Sequence, residues 1–175
     1  QRPQQFSYFQ LRRLPSPNHS TAWAMRRERL AALAGQAGQG ADILVIEGVM
    51  GLEAFDPLLF GEGASEVLAD VAEMVADAAQ GQFEIEPRVA FLSYSNFGSV
   101  RSDNSKRVRQ ACEMLRERRP EIEAEGEMQA NVAVNFDLQQ RNFPFTRLTG
   151  PANVLVFPTL EAGNTAYKLM RELGG

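Results

Sequence analysis

The chain has 175 residues, 44% of them hydrophobic, which suits one domain with room for a packed core. A formal net charge of −4 argues against a nucleic-acid partner or an anionic membrane, and no apolar run reaches the length of a membrane span. One cysteine, Cys112, excludes an intrachain disulfide and fits a reducing cytoplasm; one histidine, His19, excludes a histidine-rich metal centre and Ser-His-Asp catalysis.

Residues 1–20, rich in Gln and Pro, show no clean period and read as an irregular arm. A helical pattern begins near Ser20 or Thr21 and runs through Leu33, until Gly35, Gly38 and Gly40 loosen it. Asp42-Ile-Leu-Val-Ile-Glu47 is a short apolar run of the buried-strand kind. The loop after it carries Phe55, Leu58, Leu59 and Phe60, a sticky set that suits packing against a partner domain.

The pattern is more regular after Gly63. Val67, Leu68, Val71, Met74, Val75 and Ala78 recur at helical spacing and predict an amphipathic helix over 64–79. Val89-Ala-Phe-Leu-Ser93 reads as a buried strand. The next helix, capped by Ser102 or Asp103, turns Val108, Ala111, Cys112 and Leu115 inward and stops before Pro120. Ile122–Gly126 is a polar-tinged strand and 130–140 a helix. Asn153–Phe157 is another buried strand, and Ala162, Ala166, Leu169, Met170 and Leu173 line a last helix. Such alternation predicts a parallel sheet with right-handed crossovers. The sequence therefore divides into 1–63, whose membership in the domain stays open, and a βαβαβα segment over 64–175.

Chemistry concentrates where these strands end. Ser93-Tyr-Ser-Asn-Phe-Gly-Ser99 offers hydroxyls, amide N–H groups and a glycine close to a helix start, the makings of an anion cradle, with Arg101, Lys106, Arg107 and Arg109 just downstream. Ser/Gly loops also join strands to helices with no ligand at all, and a basic helix face is often merely solvated. Gly163-Asn-Thr-Ala-Tyr-Lys168 opens the last helix, where Asn164 can cap or reach a ligand and Lys168 follows one turn later. Tyr167 reads equally as a core or interface aromatic. Cys112, on an apolar stripe, reads as a buried inert thiol. The glutamates at 84, 86, 121, 123, 125 and 127 read as solvated carboxylates, not as a metal site.

Three stretches taken together resemble the phosphate acetyl/butyryltransferase family: Pro87-Arg-Val-Ala-Phe-Leu-Ser-Tyr-Ser-Asn-Phe-Gly-Ser99, Glu125-Gly-Glu-Met-Gln-Ala-Asn131 and Ala152–Lys168. Asn96-Phe97 and Glu127-Met128 resemble the version fused to the C-terminal side of bacterial NADP-dependent malic enzymes. The resemblance, over about 64–173, implies a three-layer αβα fold with a mainly parallel sheet, isocitrate dehydrogenase-like, here only in part. It also implies acetyl-CoA or CoA, together with phosphate, as ligands held by Ser93, Ser95, Asn96, Ser99, Lys106, Asn131, Asn164 and Lys168. Family members commonly carry carboxylates before the glycine and at the position of Asn131; with asparagine there, no carboxylate role passes to 131.

The arginine and carboxylate of active members lie beyond the last helix, past Gly175, so the catalytic residues are left unassigned. The resemblance thus implies a cytoplasmic acetyl-CoA-binding regulatory domain of a malic enzyme, with NADP and a divalent metal needed only by an attached malic enzyme body. It implies a homo-oligomer, with neither nucleic acid nor membrane as partner. An active phosphate acetyltransferase and a ligand-free oligomerisation module are the alternatives. Residues 20–52, through Ala22–Leu33 and Ala41–Leu52, resemble the cobyrinate diamide synthase and dethiobiotin synthetase group, which would give Glu47 a Mg²⁺ role. Yet no G-x-x-x-x-G-K-[ST] loop exists in the chain, so Glu47 reads better as the wet end of a strand.

Overall fold

A computed structural model describes residues 6–10, 43–47 and 63–173. The strands are β1 (Phe6–Gln10), β2 (Ile43–Glu47), β3 (Arg88–Leu92), β4 (Glu123–Met128) and β5 (Val154–Val156). The helices are α1 (Ala64–Phe83), α2 (Asp103–Arg118), α3 (Ala130–Val134), α4 (Phe136–Asn142) and α5 (Leu160–Leu173). All five strands form one parallel sheet in the order β1-β2-β5-β3-β4.

Strand alternation sorts β3 between two layers. Val89 and Phe91 join Val154 and Val156 under α1 and α2, with Leu68, Val75, Val108, Ala111, Cys112 and Leu115 completing that core. Ala90 and Leu92 point the other way with Leu155, onto Val132 and Ala133 of α3 and, at the margin, Leu138 of α4 and Met170 of α5. Both faces of β3 and β5 are covered, as a parallel sheet requires. The three-layer expectation is met.

Several boundaries differ from the sequence reading. Phe6–Gln10 is a strand paired in parallel with β2, where the first twenty residues offered no period; strand pairing with a distant segment is not a local property. The helix expected over 130–140 is two helices. Asn135 ends α3 and starts α4, its side chain accepting a hydrogen bond from the Leu138 N–H, so an asparagine cap outcompetes a continuous helix. On α5, Met170 is partly buried, but Leu169 and Leu173 are exposed. The helix expected from Thr21 to Leu33 and the loop over 51–62 lie outside the described residues. No helix among the described residues is long and apolar enough to cross a membrane.

The topology positions a site. α2, which follows β3, packs on one face of the sheet, where Leu160 at the start of α5 packs as well; Met170, further along α5, packs on the other face. β3 and β5 are parallel neighbours, so the 93–99 loop and the loop before α5 both leave the C-terminal end of the sheet, where ligands of parallel α/β sheets bind.

Candidate functional site

Ser102 begins α2 with a reciprocal cap: its Oγ accepts from the Ser105 N–H at 3.1 Å, and Ser105 Oγ accepts from the Ser102 N–H at 3.1 Å. This fixes the exit of the 93–99 loop. Within the loop, Ser99 Oγ accepts from the Asn96 N–H at 2.9 Å, and Ser95 Oγ accepts from the Val100 N–H at 3.0 Å. Phe97 and Gly98 take positive φ, 47° and 84°, to make the tight turn.

The loop is stitched to the end of β4. The Gln129 N–H donates to Asn96 Oδ1 at 2.7 Å, and Gln129 Nε2 donates to the Tyr94 carbonyl at 2.8 Å. At the centre lies Glu127, with no exposed surface. Its Oε1 accepts from Ser95 Oγ and from the Gly98 N–H, both at 2.8 Å, and from Arg109 Nη2 at 3.2 Å; its Oε2 accepts from Arg109 Nε at 2.8 Å. Burial pushes this carboxyl up, but the Arg109, Gly98 and Ser95 bonds together outweigh it and hold the group below its ordinary range.

A register shift delivers Glu127 to this place. Gly126 pairs with Phe91 and Met128 with Leu92, so Glu127 is the extra residue of a bulge. A Cβ at Gly126 would stand 2.7 Å from the Phe91 carbonyl oxygen, a contact only glycine avoids.

The glutamates of β4, expected to be solvated, are structural partners. Glu125 is buried, pairs with Arg116 and accepts from the Arg147 N–H at 3.0 Å, while Glu123 accepts from the Thr149 N–H at 3.0 Å. Arg109 and Arg116 are seven residues apart on one face of α2, so that face reads the two inward carboxylates of the sheet's edge strand. The signal in the sequence was glutamate at every second position from 123 to 127; only knowing that α2 covers β4 would have interpreted it.

The expected site residues divide into two groups. Ser95 is fully buried with its hydroxyl on Glu127; Ser93 and Asn96 are half-buried in the same bonded loop, and Ser99 is exposed. Lys106, Asn131, Asn164 and Lys168 are exposed, and their side chains take no part in that network among the described residues. Of the basic residues downstream, Arg107 turns inward instead of outward. It donates to Asn104 Oδ1 at 2.6 Å and to the Pro158 carbonyl at 3.0 Å, tying α2 to the loop before α5, and burial lowers its pKa. A cavity of about 160 Å³ lined by Arg116, Pro120, Ile122 and Arg147 opens at the opposite, N-terminal end of β4. No group of residues able to hold a metal occurs among the described residues.

Residues 58–175 match the model of the family described as phosphate acetyl/butaryl transferase. The chain belongs to that family. Its relatives in the transferase family are of two kinds. An NADP-dependent malic enzyme from Rhizobium meliloti is 39% identical over 158 residues, 90% of this chain and 20% of that protein. A phosphate acetyltransferase from Bacillus subtilis is 42% identical over 110 residues, 63% of this chain and 34% of that protein. Among solved structures, the EutD phosphotransacetylase from Staphylococcus aureus aligns with a TM-score of 0.59 at 39% identity, covering 63% of this chain and 34% of its own. The chain thus spans a fifth of the length of the Rhizobium malic enzyme and about a third of that of the Bacillus transferase.

Proposed function

We propose that this chain is an acetyl-CoA-binding, phosphate acetyltransferase-like domain acting as the regulatory C-terminal domain of an NADP-dependent malic enzyme. The observation that carries the reading is the reach of the similarity. The Rhizobium malic enzyme aligns over 90% of the chain, whereas the Bacillus transferase aligns over 63%. Two other malic enzymes align over 66% and 61% of the chain and a Staphylococcus aureus phosphate acetyltransferase over 74%, so it is the long Rhizobium alignment that supports the reading.

The loops at the C-terminal ends of β3 and β5 suit an acyl-CoA. Its phosphates meet Lys106 and Lys168, while Ser93, Asn96, Ser99, Asn131 and Asn164 supply neutral donors and acceptors. Ser95 contributes from behind the loop. NADP and a divalent metal belong to the malic enzyme body, and assembly into a homo-oligomer accompanies this reading.

The test is malate decarboxylation by the intact protein with and without acetyl-CoA. A changed rate or a changed KM supports regulation; no response at saturating acetyl-CoA overturns it. The 42% identity to a phosphate acetyltransferase favours a second reading, an active transferase. That reading requires phosphate-dependent consumption of acetyl-CoA by the same preparation.

A further inference from the structure

The 95–98 turn has the donors of an anion nest: a hydroxyl, a backbone N–H beside a glycine and, below it, a guanidinium. In this chain those donors already hold an anion. Ser95 Oγ and the Gly98 N–H both lie 2.8 Å from Glu127 Oε1, and Arg109 closes the far side through Nε at 2.8 Å and Nη2 at 3.2 Å. The Phe97 N–H donates to the Glu127 carbonyl at 2.8 Å, so the main chain of the same residue braces the turn as well. The carboxylate has no exposed surface, while Arg109 keeps 38% of its side chain exposed. A ligand phosphate entering the nest would have to expel a buried, fully bonded carboxylate.

We propose that Glu127 is the positioning residue of this site: its carboxylate permanently occupies the nest of Ser95, Gly98 and Arg109, so the loop meets acyl-CoA in one fixed shape and only through the groups outside the nest, Ser93, Asn96, Ser99 and the following Lys106. This rests on the acyl-CoA reading above. Three consequences separate it from simple packing. Emptying the nest creates a site for a small carboxylate. The emptied protein regains function when such an ion is supplied. Inorganic phosphate does not compete at the nest of the unaltered protein.

The experiment measures acetyl-CoA affinity and melting temperature for the intact protein, Glu127→Ala and Glu127→Gln, each with and without formate. Glu127→Ala is expected to bind acetyl-CoA at least about tenfold more weakly, because Ser95 and Gly98 lose a charge-assisted acceptor. Formate is expected to restore most of that affinity and raise the melting temperature of this variant alone, while chloride at equal ionic strength does neither. Affinity in Glu127→Ala equal to that of the unaltered protein overturns the proposal, as does a folded variant indifferent to formate.

Should Glu127→Ala not fold, Glu127→Gln decides. Its amide oxygen still accepts from Ser95 and Gly98 but offers Arg109 no charge, so affinity is expected to fall severalfold with the fold intact; unchanged affinity overturns the proposal. If the unaltered protein binds no acetyl-CoA, the acyl-CoA reading fails by itself. The formate-dependent rise in melting temperature of Glu127→Ala then still reports whether the nest takes a carboxylate, and its absence overturns the nest assignment.

Discussion

Arg109 on α2 donates from Nε at 2.8 Å to Glu127 on β4, a partner 18 positions away whose side chain has no exposed surface. The bond joins the helix after the 93–99 loop to the strand beside it, so helix, loop and strand end act as one unit. A buried carboxylate held this way is costly to leave alone. Arg109→Ala leaves Glu127 with two neutral donors, and we expect a loss of about 2–4 kcal/mol. Urea unfolding of the variant against the unaltered protein measures it, and a loss within experimental error would contradict this arrangement.

The same pair sets a pH dependence. The folded-state pKa of Glu127 lies below its ordinary value of 4.5, so the group contributes stability that is fully present above that value. The contribution fades as pH falls through the lower, folded pKa. Melting temperatures of the unaltered protein and Glu127→Gln should therefore differ most near neutrality and converge in acid. A gap that widened in acid would reverse the sign argued here.

Gly126 is a steric requirement. Its φ is 148°, and a Cβ would meet the Phe91 carbonyl oxygen at 2.7 Å and the Phe91 Cβ at 2.8 Å. Both atoms belong to the interior strand β3 and cannot swing aside. Gly126→Ala should cost about 2–4 kcal/mol by displacing β4 from β3 and moving Glu127 with it. Gly81→Ala is the control: nothing stands within 4 Å of its added Cβ, and a helix gains from alanine.

Cys112 is fully buried on α2, and burial pushes its thiol up to about 12. Near neutrality it should resist iodoacetamide in the folded protein and react promptly once urea unfolds it. Rapid labelling under native conditions would contradict the packing of α2 on the sheet.

Asn153 tests the other side of β3. Its Oδ1 accepts from the Arg88 N–H at 2.7 Å and its Nδ2 donates to the Glu86 carbonyl at 2.9 Å, so one side chain aligns the entries of β3 and β5. Asn153→Ala strands both backbone groups and should cost about 2–3 kcal/mol, read by the same urea titration.

Much of the α/β segment was legible without coordinates. Leu68 and Val75 on α1, and Val108, Ala111, Cys112 and Leu115 on α2, announced their buried faces through spacing alone, because helical periodicity is a local property. Ser102 declared the start of α2, and an unbroken apolar run declared β3. The glutamates of β4 were misread for the opposite reason. Their solvation depends on α2, whose arginines arrive from earlier in the chain, and no local pattern records that encounter. The 93–99 loop reads in the sequence as a cradle for a ligand anion, and in the structure its N–H groups and hydroxyls gather around a carboxylate. That the anion sitting there is the chain's own Glu127 came from the bulge between Phe91 and Leu92 in the pairing of β3 with β4.

By itself the sequence determined the alternation of strand and helix, the inward faces of α1 and α2 and the small polar loops at the strand ends, all set by residues within a few positions of one another. Tertiary structure decided the placing of β5 between β2 and β3 and the burial of Glu127 against Arg109. Those features depend on which distant segments meet, and hydrogen bonding and desolvation act only once they have met.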